Sequence, residues 1–427
     1  MKFSKKTSLV LILLICISLF VSACSSTNEA TSNSSSGSKS GGKIKLTLMI
    51  AWPDDVNGKQ EEKMVAKKFA DKYDITFKPV DNNVLKTIKT SIAAGEPVDL
   101  SFYWTSGMGD FVEGDMALDL TPYLKANNNE WMNTFIDGSL NLGTIKGKIY
   151  AVPNTPVYPM MLVNKDLLDQ AGVTIPDEPT WDEFTNAMTK VKEKLGITPL
   201  GIQSGWAGWL VRNNLFAVWP NESKVKEWSE GKISFNDPEV AKVFNATKEL
   251  YDKEYVYPGN GALTMTGDQV LNAFKSKKVA FMGYINFLAD TAIKNSGVKN
   301  VQILTFPHMG SRSKVMGSAN GFMIPANAKH PKASIEILKY LTSTEVLQHR
   351  VDNGSPVSVK GVKADDPKIA LYAKDAGNLY TENEISNISP QMNDYIGNKL
   401  PANYIFNPKT TLGDLEKLRL EAIKQKK

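Results

Sequence analysis

The stretch KLTLMIAW, residues Lys45–Trp52, decides the fold, because it opens a repeated pattern of buried strands and amphipathic helices. Two similar strand candidates follow at short intervals, DITFKPV (Asp74–Val80) and VDLSFYW (Val98–Trp104). Each interval holds a segment with the periodicity of a helix that buries one face. Strand, helix, strand, helix, strand predicts an α/β fold with a parallel sheet that is covered on both faces.

Signals for helix ends continue the pattern through the rest of the chain. Gly95 suits a C-terminal cap, and Thr180 and Glu183 form a capping box. Asp237 precedes a proline at a first helical position, and Pro331 opens a further helix. Additional strand candidates lie between these helices: Lys278–Gly283, Val301–Phe306 and Gly321–Ile324.

The N-terminus carries the pattern of an export signal. Lysines at positions 2, 5 and 6 precede the apolar run Leu9–Val21, and small residues follow that run. The run is short for a membrane span, and a transmembrane anchor is the alternative interpretation. We therefore expect residues 1–23 to be a signal peptide.

Cys24 follows this run in the order Val21-Ser22-Ala23-Cys24, which looks like a bacterial lipobox. In a lipobox the cysteine thiol receives a diacylglycerol, and two acyl chains hold a protein firmly on a membrane. Residues 24–43 are rich in serine and glycine, which predicts a flexible tether behind the anchor.

The composition of the exported body favours a large fold without disulfides. The only other cysteine, Cys16, lies in the apolar run, so the body has no thiol pair. A body of about 400 residues is large for one core, which favours two lobes. Removing residues 1–23 lowers the net charge from +5 to +2, which argues against a nucleic-acid or acidic-lipid partner.

Sequence motifs for catalysis, metals and cofactors are absent. There is no P-loop, no G-x-S-x-G nucleophile elbow and no Rossmann glycine fingerprint. His308, His330 and His349 stand outside nucleophile and metal motifs, so we expect neither a metal nor a cofactor. The 45 acidic residues leave a glycosidase open, because sequence spacing cannot show a pair of carboxyls roughly 5–10 Å apart.

Aromatic residues indicate a ligand site. Several lie near strand ends, and open α/β sheets bind ligands at the carboxyl ends of their strands. The C–H groups on the face of a sugar ring suit the electron-rich face of an aromatic ring. The candidate ligand residues, including polar neighbours for sugar hydroxyls, are Trp52, Asp54, Trp104, Tyr158, Trp206, Trp209, Tyr284, Asn286 and Asn320.

A structural role is the alternative for these candidates. A tryptophan can be core packing, Asp54 can cap the helix that follows it, and Asn320 can support a turn. Four further tryptophans lie within helical patterns, and we expect them in the core: Trp131, Trp181, Trp219 and Trp228.

Five short motifs occur in one order along the chain: AAGEPVDL (Ala93–Leu100), LDLTPYL (Leu118–Leu124), GKIYAVP (Gly147–Pro153), NKDLLDQAGV (Asn164–Val173) and PTWDEF (Pro179–Phe184). Together with the lipobox they resemble the extracellular solute-binding proteins of ABC importers, in the maltodextrin-binding-like carbohydrate branch (solute-binding family 1). The resemblance covers nearly the whole body, and the lipobox with its tether fits Gram-positive members.

The resemblance implies two α/β lobes joined by three chain crossings, with the ligand in the cleft between the lobes. The implied first lobe is residues 44–154 plus 309–354, and the implied second lobe is residues 155–308 plus 355–427. The family's aromatic strand-end positions match Trp52, Trp104, Trp206 and Tyr284. Two loops depart from the family pattern: Leu162-Val163 replaces a tyrosine pair, and TSGMGD follows the third strand.

The function that the resemblance implies is that of a non-catalytic, monomeric receptor. It captures a sugar or an oligosaccharide on the outer face of the cell membrane and delivers it to the permease subunits of an ABC importer. One alternative is a solute-binding protein of the same kind whose ligand is a non-sugar solute, such as a polyamine or a metal chelate. A polyamine site needs clustered acids, and only Asp54, Asp55 and Asp110 lie near the aromatics. A surface glycoside hydrolase is the alternative from another class.

Overall fold

The computed structural model describes residues 42–425 except 82, 97, 260, 312–313 and 381–388. The predicted signal peptide, Cys24 and nearly all of the predicted tether lie outside the described residues. Within the described part, no helix combines the length and the apolar character that a membrane span requires.

Strands and helices alternate along the body. The strands are β1 Ile44–Met49, β2 Tyr73–Phe77, β3 Leu100–Trp104, β4 Thr144–Ile145, β5 Lys148–Ile149, β6 Ala151–Val157, β7 Pro159–Asn164, β8 Leu200–Ile202, β9 Phe281–Ile285, β10 Val301–Thr305, β11 Val315–Met316, β12 Ser318–Met323 and β13 Leu379–Tyr380. The helices in the first half are α1 Val56–Lys68, α2 Val84–Ala93, α3 Gly109–Glu113, α4 Thr121–Leu124, α5 Ala126–Asn129, α6 Lys165–Gln170, α7 Trp181–Leu195, α8 Ser204–Ala207 and α9 Trp209–Ala217. Those in the second half are α10 Glu222–Ser229, α11 Pro238–Asp252, α12 Gly267–Lys275, α13 Ala289–Ser296, α14 Pro331–Leu341, α15 Thr344–Asp352, α16 Lys368–Ala373, α17 Pro390–Asn398, α18 Ala402–Phe406 and α19 Pro408–Gln425.

The first lobe is built on a five-stranded sheet in the order β2-β1-β3-β12-β6. The three strands predicted from the N-terminal pattern are present, and β1 pairs in parallel with both β2 and β3. The parallel pairing predicted for these three strands is confirmed, and the complete sheet is mixed because β12 runs antiparallel to β3 and to β6. β12 enters this sheet from the second lobe, and an antiparallel neighbour needs no helical crossover.

The second lobe is built on a four-stranded sheet in the order β10-β7-β9-β8. Successive side chains of β7 point to opposite faces of this sheet. Met160 and Leu162 join one core cluster, whereas Met161 and Val163 join another. A third cluster joins α9–α11 to α17–α19 through large side chains such as Phe244. The fold is therefore α/β with two lobes.

The chain passes from the first sheet to the second at Tyr158. β6 pairs with β12 as far as Val157, and β7 begins at Pro159. Residues 155–157, which the sequence prediction gave to the second lobe, thus belong to a strand of the first sheet. The other lobe boundaries stay predictions.

The predicted helix ends are confirmed. Both hydrogen bonds of the Thr180–Glu183 capping box are present, and the Asp237 side chain accepts from the amide of Glu239. Gly95 follows α2 with φ +69°, a left-handed conformation that glycine adopts without strain. Pro331 occupies the first position of α14.

Two strands end at other residues than predicted, whereas four tryptophans lie in the core as predicted. β1 ends at Met49, so Trp52 lies in the following loop, and Tyr284 lies inside β9 and does not follow a strand. The four tryptophans expected in the core are buried, with exposed fractions of 1–6 %: Trp131, Trp181, Trp219 and Trp228.

Candidate ligand-binding site

A cleft of about 930 Å³ lies where the two sheets approach each other. β3 and α3 line it on the first-lobe side, and α8 and α9 line it on the second-lobe side. The helix α17, from the C-terminal part of the chain, forms a further stretch of wall. The cleft is thus assembled from segments that lie far apart in the sequence.

Trp104 brings an aromatic face to the first-lobe wall. It is the last residue of β3, and its ring is partly exposed. The ring centroid of Trp52 lies 6.0 Å away, and that of Tyr103 lies 5.5 Å away on another side. Asn320 is paired directly opposite Trp104 on β12, so the two side chains are neighbours on one face of the sheet. Trp52 and Asn320 therefore flank Trp104 and are absent from the described cleft lining.

Trp206 and Trp209 form the aromatic part of the second-lobe wall. Their rings are nearly parallel, at 10°, with centroids 5.7 Å apart, and both line the cleft. The ring of Tyr284 meets Trp206 nearly at a right angle, with a centroid distance of 5.1 Å. The glycine-broken sequence explains the local path, because a Cβ on Gly208 would lie only 2.9 Å from the carbonyl oxygen of Leu400. Glycine thus lets the start of α9 approach the C-terminal helices.

Tyr158 lines the cleft at the passage between the sheets, but only 2 % of it is exposed. Its hydroxyl donates to the carbonyl oxygen of Tyr372. Its ring can therefore contact a ligand only along a narrow edge, while its hydroxyl is engaged by the protein.

Asn286 is fully buried, and its side chain forms hydrogen bonds with the backbone at the segment where the chain passes between the sheets. The Oδ1 atom accepts from the amide of Tyr158 at 3.0 Å. The Nδ2 atom donates to the carbonyl oxygens of Pro156 and Tyr372, both at 3.0 Å. Because the backbone occupies both sides of the amide, we assign Asn286 a structural role in place of the predicted ligand contact.

Asp54 lies away from the cleft. Its side chain is exposed and borders a separate surface depression between α1 and α15, beside Lys59 and His349. It does not cap the next helix either, since Asp55 occupies the position before α1. Neither its predicted ligand contact nor its alternative capping role matches this position.

Charged residues at the cleft were largely missed by the sequence reasoning. Asp110 and Glu113 lie on α3, Arg212 on α9, and Asp394 on α17, and all of them line the cleft. The sequence indicates a cleft position for Asp110, since this residue closely follows the strand end at Trp104. It does not indicate one for Asp394, because no sequence feature shows that α17 lies beside the other segments.

The electrostatic state of two cleft residues follows from their neighbours. Burial, with a further contribution from Asp110, raises the pKa of Tyr103 to about 12, so its hydroxyl stays protonated at neutral pH. A hydrogen bond from Asn398 and the ammonium of Lys399 at 3.0 Å lower the pKa of Asp394, which is therefore ionised. The cleft consequently offers a charged acceptor at Asp394 and a neutral hydroxyl at Tyr103.

The described residues contain no group of three or more histidine, cysteine, aspartate or glutamate side chains that could hold a metal ion. What the cleft combines is indole faces, carboxylates, an arginine and hydroxyl groups such as those of Ser106 and Ser318. This combination suits reversible binding of a polar solute that also has apolar faces.

Comparison with known proteins places this geometry in context. A binding protein of Brucella abortus is 26 % identical over 265 residues, which are 60 % of this chain and 61 % of that protein. The sn-glycerol-3-phosphate-binding periplasmic protein of Rhizobium meliloti is 24 % identical over 245 residues, or 54 % of each chain. The matched region thus spans less than two thirds of these curated relatives.

A solved chitin oligosaccharide binding protein has a similar fold, with a TM-score of 0.74 and 22 % identity. That match covers 90 % of this chain and 99 % of the other. The family model for bacterial extracellular solute-binding proteins matches residues 52–348, which is more than half of the chain. The chain therefore belongs to the family of bacterial extracellular solute-binding proteins.

Proposed function

We propose that this protein captures a carbohydrate in the cleft between its lobes and delivers it to the membrane subunits of an ABC importer. The observation that carries the proposal is the pair of aromatic walls, with Trp104 on one lobe facing the cleft and Trp206 and Trp209 on the other. Flat C–H faces of sugar rings fit such walls, and Asp110, Arg212 and Asp394 can bond hydroxyl groups.

The proposed mechanism needs no covalent chemistry, and the protein acts as a monomer and not as an enzyme. A ligand that contacts both walls gains its full set of contacts only when the lobes meet. It therefore shifts the equilibrium between open and closed forms by its differential affinity for the closed form. The permease then distinguishes the loaded protein from the empty one by its shape.

A non-sugar solute is the second candidate. Arg212 lines the cleft, and a guanidinium suits a phosphate or carboxylate group. A relative named for binding glycerol 3-phosphate agrees with such a ligand. An organic phosphate that binds more tightly than every neutral sugar would favour this candidate over the carbohydrate.

The test is titration calorimetry of the body, residues 44–427, against a panel of neutral sugars. We expect Trp104→Ala and Trp206→Ala each to weaken binding of the best sugar about tenfold, since each removes a stacking face worth about 1 kcal/mol or more. Phe406→Ala is the matched control, because Phe406 is 71 % exposed and absent from the described cleft lining.

Two results would count against the proposal. If both tryptophan variants bind the sugar as tightly as the unchanged protein, the cleft is not the sugar site. If chromatography recovers hydrolysed sugar in proportion to the protein concentration, the glycoside hydrolase alternative takes its place.

We also propose that Cys24 anchors the protein on the outer face of the membrane of a Gram-positive cell. The proposal rests on the lipobox-like order Val21–Cys24 and on the lack of any cysteine after it. The full-length protein should enter the detergent phase of a Triton X-114 extraction, and Cys24→Ser should move it to the aqueous phase. Partition of the unchanged protein into the aqueous phase would refute the anchor.

A further inference from the structure

The chain runs between the two sheets at two passages, and a buried asparagine holds each of them. At the first passage β6 of the first sheet leads into β7 of the second, and Asn286 lies beside it. At the second passage, residues 306–317, the chain returns from β10 of the second sheet toward β12 of the first. Asn214 on α9 lies beside this passage, and both asparagines are fully buried.

The side-chain amide of Asn214 is fully engaged by the backbone. Its Oδ1 atom accepts from the amide of Met309 at 2.8 Å, and its Nδ2 atom donates to the carbonyl oxygen of Pro307 at 3.3 Å. Nδ2 also donates to the carbonyl oxygen of Leu210, one turn earlier in α9, at 3.1 Å. Buried polar groups are costly to leave unpaired, so these bonds tie the second passage to α9.

Asn286 repeats this pattern at the first passage. It accepts from the amide of Tyr158 and donates to the carbonyl oxygen of Pro156, both at 3.0 Å. In both passages one asparagine thus accepts from a backbone amide and donates to the proline carbonyl two residues earlier. We call this arrangement an asparagine bracket. Both asparagines belong to the second lobe, since Asn286 follows β9 and Asn214 lies on α9.

The second passage also lies close against α9. A Cβ on Gly310 would lie only 2.7 Å from the carbonyl oxygen of Ala217, the last residue of α9. The side chain of Met309 packs against the same two core clusters as that of Trp209. Residues 307–310 are therefore held to α9 by hydrogen bonds, by close backbone approach and by packing.

The bracket at Asn214 joins the two walls of the cleft. α9 carries Trp209 and Arg212, which line the cleft from the second lobe. The second passage leads into β12, and β12 pairs with β3, whose last residue is Trp104. The orientation of the first-lobe wall toward α9 therefore depends on how the passages are fixed.

We infer that Asn214 is a positioning residue for ligand binding, which acts together with Asn286. The two brackets make both passages part of the second lobe, so that rotation between the lobes is confined to residues outside the brackets. This inference rests on the proposed closure of the cleft and adds the residues that direct it. Without a bracket the first-lobe wall takes a wider range of orientations, and only a fraction of the molecules presents both walls to a ligand. The apparent affinity falls in proportion to that fraction.

The first experiment is calorimetry of the body with Asn214→Ala, with maltotriose, xylotriose, chitotriose and sn-glycerol 3-phosphate as probes. Each probe that binds the unchanged protein should bind the variant about tenfold more weakly, and by the same factor, if the competent fraction falls to about one tenth. Loss of a direct ligand contact, as in Trp206→Ala, should instead affect unlike probes by unlike factors. Gly310→Ala keeps every side-chain hydrogen bond but displaces the passage from α9, so it should also weaken binding.

Val270→Ala is the control for a general loss of stability. Val270 is buried in α12 and lies outside the described cleft lining. This variant should melt at a lower temperature and keep its affinities at a temperature at which it is folded. Melting curves verify the folding of all three variants, and Gly310→Ala decides if Asn214→Ala does not fold.

The second experiment needs no ligand. Residues 44–427 contain no cysteine, so Lys89→Cys on α2 and Lys190→Cys on α7 give one spin-labelling site in each lobe. Double electron–electron resonance should show a wider distribution of distances between the lobes in Asn214→Ala and Gly310→Ala than in the unchanged protein. Val270→Ala should leave the distribution as it is.

A distribution that is equally narrow in both variants would overturn the inference, whatever the affinities, and would leave Asn214 a role in stability alone. Equal weakening of binding by Val270→Ala would overturn it as well. If no sugar binds the unchanged protein but the distribution widens as expected, the proposed carbohydrate function fails and the inference stands.

Discussion

Replacing Arg350 with methionine should lower the free energy of unfolding by about 3–5 kcal/mol, because the change leaves a buried carboxylate without its partner. Glu61 on α1 is fully buried, and Arg350 on α15 is 6 % exposed. The guanidinium donates to both carboxylate oxygens, from Nε and, at 2.9 Å, from Nη2. Burial alone would lower the pKa of Arg350, but the charge and hydrogen bonds of Glu61, with a further contribution from Asp55, raise it overall, so the guanidinium stays charged.

Urea denaturation of three variants separates the pair from its parts. The double variant Glu61→Leu with Arg350→Met should regain most of the lost stability, since two apolar side chains carry no desolvation cost. Lys165→Met is the matched control, because its ion pair with Asp169 at 2.6 Å is half-exposed and should contribute less than about 1 kcal/mol. A double variant that is no more stable than Arg350→Met would contradict this account.

Asn286→Ala should cost about 2–3 kcal/mol of stability. The change removes three hydrogen bonds in a fully buried place and leaves the amide of Tyr158 without its acceptor. Because these bonds hold the segment at which the chain passes between the sheets, the loss should appear in the cooperative unfolding of the whole body. Chemical denaturation of the body measures it.

Asn300→Ala is the control for this change. Its side chain donates to Asp166 at 2.9 Å on the exposed surface, and its loss should be within about 0.5 kcal/mol. A variant Asn286→Ala with unchanged stability and weakened sugar binding would restore the original prediction that Asn286 contacts the ligand.

The local structure of the fold could be predicted because local signals agree with the tertiary structure. The capping box at Thr180 and the proline after Asp237 act within one turn of helix, so they need no knowledge of the rest of the chain. The N-terminal strand–helix pattern is equally local. The antiparallel course of β12 was not predictable, because a strand carries the same alternation in either direction.

The site could be predicted only in part, because only some of its residues are marked by local signals in the sequence. Trp104, Trp206 and Trp209 follow from strand ends and a glycine-broken segment, which are visible in the sequence. The sequence does not distinguish Asn286 from Trp206 as a ligand-binding residue, because the difference lies in their neighbours in the fold. The hydrogen bonds of Asn286 go to residues about 130 positions earlier and 86 positions later, and no sequence spacing indicates such contacts.

The position of β12 between β3 and β6 has a consequence for synthesis. β3 and β6 are made early, but they cannot complete the first sheet without a strand that ends at Met323. During translation both strands thus keep an unpaired edge while the entire second sheet is being made. Pairing between such distant segments forms slowly, and exposed strand edges invite pairing with other chains. The first sheet, although its strands begin the chain, is therefore the later of the two sheets to have all of its strands available.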